Sequence, residues 1–476
     1  MWPIDNIRIW YSRRRAQPPN NGAVEKDFGV VPAVSRVMQD NINLWYALYL
    51  NEPPWVTPES CVKPLGLAGA IGRELARYAL AEFSFTVSGG TRADYINERM
   101  QLAAGNFLQA LELGLCLGGV AFRPYIERGQ LYVDVTGATA FSPIEFDGGG
   151  RCISGVFRDT ITYRKQKYTR LEYHGFEDIA IDRDAYINRY VIRNKAYRGD
   201  TGGGAPIKLS EIPAWAELDE ETVIEHVERP LFSYFKNPSS NSIDPESQVG
   251  VSVYGGAPNI ALLQQADEQW ERLNWEFKSG ERKIFSDATK VKSDQFHDRL
   301  FEYGRFTADG TLFETFSPEF RNEPLYQGLQ KILQRIEYNV GLSFGDLSDP
   351  QSVEKTATEI LTAKNRKRTT LKHIQDAFKV AALDDLAYAI NVYCDLYGLA
   401  PRGEYEINCT FGDTVLDDPE TIRQNKAMFL QEITAGVRNP WEYRVEYLKE
   451  TPEEAMAKLP GMEDLMRGVE QQEEVE

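Results

Sequence analysis

The sequence predicts an α+β protein in which helical and β stretches occupy separate segments of the chain. Residues 30–115 carry apolar side chains at spacings of three and four, the signature of helices with one buried face. Residues 119–198 alternate apolar and polar side chains in short runs punctuated by glycine, the signature of antiparallel strands. Beyond residue 257 two helical stretches enclose a further β-rich segment, and a long helix follows.

The 476 residues leave room for about three domains. A hydrophobic share of 42% and a charged share of 26% are those of a globular chain. No apolar run approaches the ~18 residues that a membrane helix needs, so no membrane partner is expected. The opening Met1-Trp2-Pro3-Ile4-Asp5 lacks the basic and apolar regions of a secretory signal, and the chain is expected to stay where it is made. Cys61, Cys116, Cys152, Cys394 and Cys409 are odd in number and never in C-x-x-C spacing, which suggests reduced thiols rather than disulfides or zinc. A net charge of -18 excludes a protein that grips nucleic acid over its whole surface, so any DNA contact is local.

Within the first helical region, Val34, Val37, Met38 and Leu44, then Leu67, Ala70, Ile71, Leu75 and Leu80, mark buried faces. A third helix is read over Arg92–Leu117. The β region begins after Gly118-Gly119, with Gln130–Val135 and Ile161–Tyr163 as its clearest strands, and extends to Arg198. Thr201–Pro206 is either a linker or a hairpin tip. A helix starts near Pro258, a favoured first-turn residue, and places Leu263, Ala266, Trp270, Leu273 and Phe277 on one stripe.

Residues 284–322 turn β-like around Lys283–Phe285 and Thr311–Phe316, with a turn signal at Asp309-Gly310. Helix resumes after Pro324 with Leu325, Leu329, Ile332, Ile336 and Val340 on one face and stops at Gly341. Gly341–Pro350 is a loop by composition. From Val353 a proline-free helix runs to Gly398, burying Leu371, Ile374, Phe378, Ala381, Tyr388 and Val392, and it carries Lys364, Arg366, Lys367, Arg368 and Lys372. From Trp441 onward 11 acidic and 4 basic side chains end in an acidic tail.

No G-x-x-x-x-G-K-[ST] phosphate loop and no H-E-x-x-H motif occur, and His174, His226, His297 and His373 are too widely spaced for a local metal motif. Gly250–Tyr254 misses the nucleophile elbow at its last position. Asp384-Asp385 and Asp417-Asp418 suit helix-surface and turn positions. No catalytic residue, metal or cofactor is expected.

Three blocks carry a family resemblance. The first is Tyr234–Pro238 with Asn241, Gly250, Ser252, Asp267, Glu276-Phe277, Gly280 and Arg282–Ile284. The second is Lys355–Ile360 with Asn365, Lys367 and Thr369. The third is Gly412–Thr414 with Asp417-Asp418, Ala435-Gly436, Trp441–Arg444 and Thr451–Ala455. In this order, over residues 230–460, they resemble the portal proteins of tailed bacteriophages, above all those of long-tailed phages of Gram-positive hosts. The chain departs from the family's usual Asp-Asp at Gly412-Asp413, and residues 1–229 match only in general character.

The resemblance implies a portal fold: an α/β wing over 1–256, stem helices over 257–283 and 323–341, a clip over 284–322, a tunnel loop over 342–352, a long wing helix over 353–400, and a helical crown with an acidic tail over 401–476. It also implies a ring of twelve subunits at one capsid vertex that passes double-stranded DNA during packaging and ejection. The partners implied are the terminase large subunit, a head-completion adaptor protein, and the major capsid and scaffolding proteins. A minor capsid or adaptor protein is the alternative, and would lack the stem–clip–stem order.

Leu342, Ser343, Phe344, Gly345, Asp346, Leu347 and Ser348 are then expected to line the channel, unless they form an ordinary interhelical turn. The basic cluster is either an ion-paired or solvated face between subunits, or a DNA contact. Leu263, Trp270, Leu273, Phe277, Leu329, Ile332 and Ile336 are expected to pack the stem, with Trp275 adding apolar surface that identical neighbours would cover. The contrary case is a monomer whose β segment folds back over that stripe.

Overall fold

A computed structural model describes residues 21–182, 185–200, 203–280, 283–287, 301–304, 313–316, 319, 321–350, 357–412, 419–448 and 452–459. It is an α+β structure. The chain divides into two compact units at Phe411/Gly412. The sequence features at Met1–Asp5, Thr201-Gly202, Asp309-Gly310, Lys355-Thr356, Asp413–Asp418 and 471–476 lie outside the described residues.

Helix α1 (Asn21–Phe28) presses Ala23, Val24 and Phe28 onto one face of a sheet, against Val156, Leu171, Tyr173 and Val191. Helix α2 (Arg36–Tyr49) starts at Ser35, whose Oγ accepts the Met38 N–H. It buries Met38, Ile42, Trp45 and Leu48, and Val37 faces outward. The stripe is therefore rotated from the one read through Val37 and Leu44, because Trp45 has more apolar area to bury than either. Helix α3 (Leu67–Leu80) and strand β1 (Ser84–Ser88) follow.

The helix read over Arg92–Leu117 is two helices, α4 (Thr91–Ala104) and α5 (Phe107–Leu117), broken at Gly105-Asn106, two weak helix formers in succession. Strands β2 (Gly119–Glu127), β3 (Gln130–Gly137), β4 (Phe141–Phe146), β5 (Cys152–Tyr163), β6 (Gln166–Asp182), β7 (Ala185–Arg198), β8 (Pro206–Ile207), β9 (Glu221–Ile224) and β10 (Ser233–Lys236) form two sheets. One has the order β10-β2-β3; the other runs β4-β5-β6-β7-β8, with β9 also on β7. Ile207 and Pro206 pair with Ala196 and Tyr197, so the chain doubles back after residue 204.

The sheets meet across a buried polar cluster. Arg123 of β2 lies 4.6 Å over the Phe157 ring and donates to Glu172 at 2.9 Å, Asp134 at 3.1 Å and Asp159 at 3.1 Å. Arg170 bridges the Asp159 and Glu172 carboxylates. Two guanidiniums thus hold three carboxylates. His174 completes the cluster, with Nε2 2.8 Å from Glu172 and Nδ1 2.8 Å from the Tyr190 hydroxyl. That hydroxyl already accepts the Leu231 N–H, so its single proton is free for Nδ1 and Nε2 carries the imidazole proton. Burial lowers the His174 pKa, and a second ring proton would meet a hydroxyl whose own proton then has no acceptor. Burial alone would raise the Glu172 pKa, but Arg123 and Arg170 hold it well below the usual range.

Beyond β10, α6 (Ala257–Ser279) and α7 (Asn322–Val340) enclose strands β11 (Lys283–Asp287), β12 (Phe301–Gly304) and β13 (Phe313–Phe316). β11 is central, parallel to β12 and antiparallel to β13. Helix α8 (Ala357–Lys379) then continues through a π-helical turn at Val380–Asp385 into α9 (Leu386–Tyr397), which Gly398 ends at φ +61. Phe378 anchors this long helix among Phe83, Phe107, Phe122 and Phe235, with ring centroids 5.5–6.3 Å away. Asp385, displaced by the wide turn, lies 3.2 Å from Arg151 and 3.6 Å from Arg229, so it is an ion-paired residue and not a helix-surface one.

Strand β14 (Glu406–Thr410) pairs antiparallel with β1, which places residues 401–411 in the first unit and not with the C-terminal segment. The second unit contains α10 (Pro419–Thr434), α11 (Pro440–Leu448) and α12 (Pro452–Ala457), with Phe429 against Tyr443 and Tyr447.

Because the folded state holds His174 neutral, its contribution to stability is present above the imidazole range of the unfolded chain, about pH 6.5, and is lost as the pH falls. The denaturation midpoint is expected to decline from pH 7 to pH 5. His174→Gln is expected to flatten that decline, as followed by urea titration at each pH.

Candidate functional site

Helices α6 and α7 form an antiparallel pair whose seam is fastened along its length. Asn339 donates to Asn259 at 2.8 Å at one end, and Gln269 donates to the Leu325 carbonyl at 2.9 Å partway along. At the other end Arg321 grips Glu276 with Nε at 3.2 Å, Nη2 at 2.9 Å and its backbone N–H at 2.9 Å. Leu263, Ala266 and Leu273 of α6 and Leu329, Leu333 and Ile336 of α7 are buried, and the two helices pack against each other. At 23 and 19 residues the helices are about 34 and 28 Å long. Asp267 secures the pair to the body by accepting from Trp55 Nε1 at 2.9 Å and from the Leu65 N–H at 2.8 Å.

Not every expected seam residue joins it. Trp270 and Ile332 are half-buried, Phe277 is 50% exposed and Trp275 is 60% exposed. Trp275 and Phe277 are thus large aromatic side chains that the subunit leaves at least half exposed.

At the end of α7 the chain makes the loop 341–350 around one carboxylate. Glu337, fully buried, accepts the N–H of Gly345 at 3.1 Å, Leu347 at 2.6 Å and Ser348 at 2.7 Å, and the Ser348 hydroxyl at 2.9 Å. Gln330 takes the next N–H, of Asp349, at 2.7 Å. Gly341 turns the chain at φ +80, and a Cβ there would stand 2.5 Å from the Thr370 hydroxyl, so glycine is required both for the turn and for the close approach of α8.

A second anchor crosses to other helices. Asp346 accepts the Ser343 N–H at 2.7 Å, the Tyr78 hydroxyl of α3 at 3.2 Å, and Lys367 Nζ of α8 at 2.9 and 3.0 Å. Lys367 lies 3.1 Å over the Tyr78 ring. Burial lowers the Lys367 pKa while Asp346 opposes the shift; burial and Asp346 together push the Tyr78 hydroxyl up to about 12. A third anchor is Arg366, whose guanidinium stacks 4.4 Å over Tyr338 and 5.8 Å from the Phe344 ring and donates to the Leu342 carbonyl at 3.2 Å.

These contacts correct several expectations. Leu342 and Ser348 are buried and form the root of the loop, so they do not present a surface; Ser343, Phe344, Gly345, Asp346 and Leu347 are half-exposed. The basic run does not act as one cluster. Arg366 and Lys367 hold the loop, with Lys367 only 4% exposed, and Lys372 pairs with Asp376 at 3.0 Å one turn away. Lys364 is half-buried and Arg368 is exposed. Helical spacing separates the run: consecutive residues 366, 367 and 368 diverge by about 100° each, so adjacent cations address different neighbours.

Glu337 and Tyr78 were not singled out from sequence. Glu337 left a signal, since it stands four residues after Leu333 and three before Val340, a charge inside an apolar stripe just before a loop rich in backbone donors. Tyr78 left none, because only the packing of α3 brings it within reach of Asp346.

Glu337→Ala leaves three N–H groups without their acceptor, and protection of the Gly345, Leu347 and Ser348 amides in hydrogen exchange is expected to fall by about 2–3 kcal/mol, roughly 100-fold. Lys367→Met, which strands Asp346, is expected to lower loop protection by about 3 kcal/mol, and adding Asp346→Asn restores most of it.

Among the described residues no group of three His, Cys, Asp or Glu side chains is placed to hold a metal ion, and no helix is long and apolar enough to cross a membrane. No protein-family model and no curated protein matches the chain.

Proposed function

We propose that this chain is the subunit of a portal, a ring at one capsid vertex whose channel passes double-stranded DNA inward during packaging and outward during ejection. The observation that carries the reading is the clamped pair α6–α7, which brackets the three-stranded unit β11–β13 and runs through an anchored loop into the long helix α8. The order helix, β unit, helix, loop, helix is what a stem, clip and tunnel loop require. A stiff pair with Trp275 and Phe277 in solvent also gains by standing beside identical pairs.

In this reading twelve copies surround the axis, the β unit docks the terminase large subunit and later the head-completion adaptor, and the wing faces the capsid and scaffolding proteins. The chain performs no catalysis. The loop touches the duplex through Ser343–Leu347, a short surface whose acid, Asp346, is already neutralised by Lys367. DNA that must slide cannot be gripped by many phosphate contacts at once, and pairing Lys367 and Lys372 internally keeps those cations from adding to such a grip.

Electron microscopy of the purified protein is expected to give rotationally symmetric rings with a narrow projection. Trp275→Glu combined with Phe277→Glu is expected to leave the fold intact and raise the concentration needed for ring formation at least tenfold, measured by mass photometry. A monodisperse monomer at micromolar concentration would refute the portal reading, and a ring without a projecting stem would favour an adaptor.

A further inference from the structure

Strands β5 and β6 are joined by two residues only, Arg164 and Lys165, between the cross-strand partners Tyr163 and Gln166. Both stand in the left-handed region, Arg164 at φ +49 and Lys165 at φ +66. A two-residue hairpin loop with positive φ at both positions selects asparagine and glycine, because a Cβ crowds the backbone there. The turn is thus built from two long cations, at a conformational cost that Asn-Gly would avoid.

The surroundings of the turn are as one-sided as the turn itself. Residues 160–168 and 196–200 hold four basic side chains, Arg164, Lys165, Lys167 and Arg198, and one acidic, Asp200, in a chain of net charge -18. All five are exposed. Lys167 takes Asp200 at 3.1 Å, in a pair open enough to solvent to be weak. Arg164 rests on the Tyr163 ring, 5.0 Å from its centroid, and among the described residues no acidic side chain pairs with Arg164, Lys165 or Arg198. Arg198 stands across from Tyr168, three rows of the sheet or about 10 Å from the turn.

A fifth cation lies buried beside Asp200. Arg158 of β5 is 1% exposed; its Nη1 donates to the Asp200 carbonyl oxygen at 3.1 Å, and its Nε and Nη2 have no partner. Burial pushes its pKa down to about 10, so it stays charged at neutral pH with no carboxylate bonded to it. Solvent screens a buried charge far less than an exposed one, and its field adds to that of the turn.

We infer that the β5–β6 turn is a contact for the phosphate backbone of double-stranded nucleic acid. Shape selects the duplex: the turn is the convex end of a β ribbon, which fits between the two phosphate walls of a major groove, whereas an acidic peptide needs a groove or a sheet edge to lie in. Arg164, Lys165 and Arg198 supply the phosphate contacts, which fix position and carry no sequence information. A patch of three free cations is the local kind of contact that the negative charge of the whole chain permits. It is separate from the loop 341–350 and does not depend on the portal reading.

The test titrates full-length protein into a fluorescent duplex oligonucleotide at low salt and follows anisotropy. Affinity is expected to fall with roughly the third power of salt concentration, about 0.9 for each of three phosphates. Arg164→Asn combined with Lys165→Gly is expected to weaken binding at least tenfold and to lower that power by about two, while the denaturation midpoint rises because the turn is relieved. A turn with a purely structural role would gain the same stability and leave binding unmoved. Arg198→Gln is expected to weaken binding at least threefold with the midpoint retained, and Lys63→Gln with Arg402→Gln, exposed cations elsewhere in the sequence, to leave it within twofold. The proposal is overturned by absence of binding at low salt, by wild-type affinity in the turn variant, or by an equal loss in the Lys63 and Arg402 control. Equal affinity for a single strand, or displacement of the duplex by a polyglutamate peptide at the same concentration of charge, overturns it as well, since the partner would then not be a duplex.

Discussion

A carboxylate placed on the apolar stripe of a helix is costly unless donors surround it, and Glu337 has four: three backbone N–H groups and a serine hydroxyl, all from the loop that follows its own helix. The arrangement couples two elements that would otherwise be independent. Helix α7 cannot rotate without exposing the carboxylate, and the loop cannot lift without abandoning it. Because Gly341 presses against Thr370, the same turn also sets how closely the middle of α8 approaches the end of α7. The helix pair, the loop and the long helix thus share one origin.

The cations nearby are arranged around that origin. Lys367 closes over Asp346 and the Tyr78 ring, and Arg366 threads between Tyr338 and Phe344, so two side chains of a run that looks like a nucleic-acid contact stiffen the loop instead. A loop held this way presents a fixed shape with little free charge. The cluster between the sheets follows the same rule on a larger scale: Arg123 and Arg170 are each shared among carboxylates, and the neutral His174 relays the end of the network to Tyr190. Removing one partner from a buried cluster of this kind is strongly destabilising, because it leaves an uncompensated charge.

Much of the fold was legible in the sequence, and the parts that were not have identifiable causes. The α6 and α7 helices could be read because their apolar residues recur on one side and Pro258 and Gly341 mark start and stop. The break between α4 and α5 was missed because Gly105-Asn106 falls within an otherwise helical pattern, and the π-helical turn at Val380–Asp385 was missed because one wide turn barely disturbs the period. At the candidate site the loop could be placed from its glycines, serines and aspartates, but which of its residues are roots and which are surface could not.

By itself, the sequence determined the α+β class, the pair of helices around the 284–322 segment and the glycine stops at 341 and 398, for these depend on neighbours within a few residues of each other. Only the tertiary structure decided that Lys367 is internal, that Glu337 gathers the loop, and that β14 completes β1 across more than three hundred residues. Each of those outcomes is a pairing between surfaces far apart in the chain. A charged side chain looks the same in sequence whether its partner is water or a carboxylate brought to it by folding.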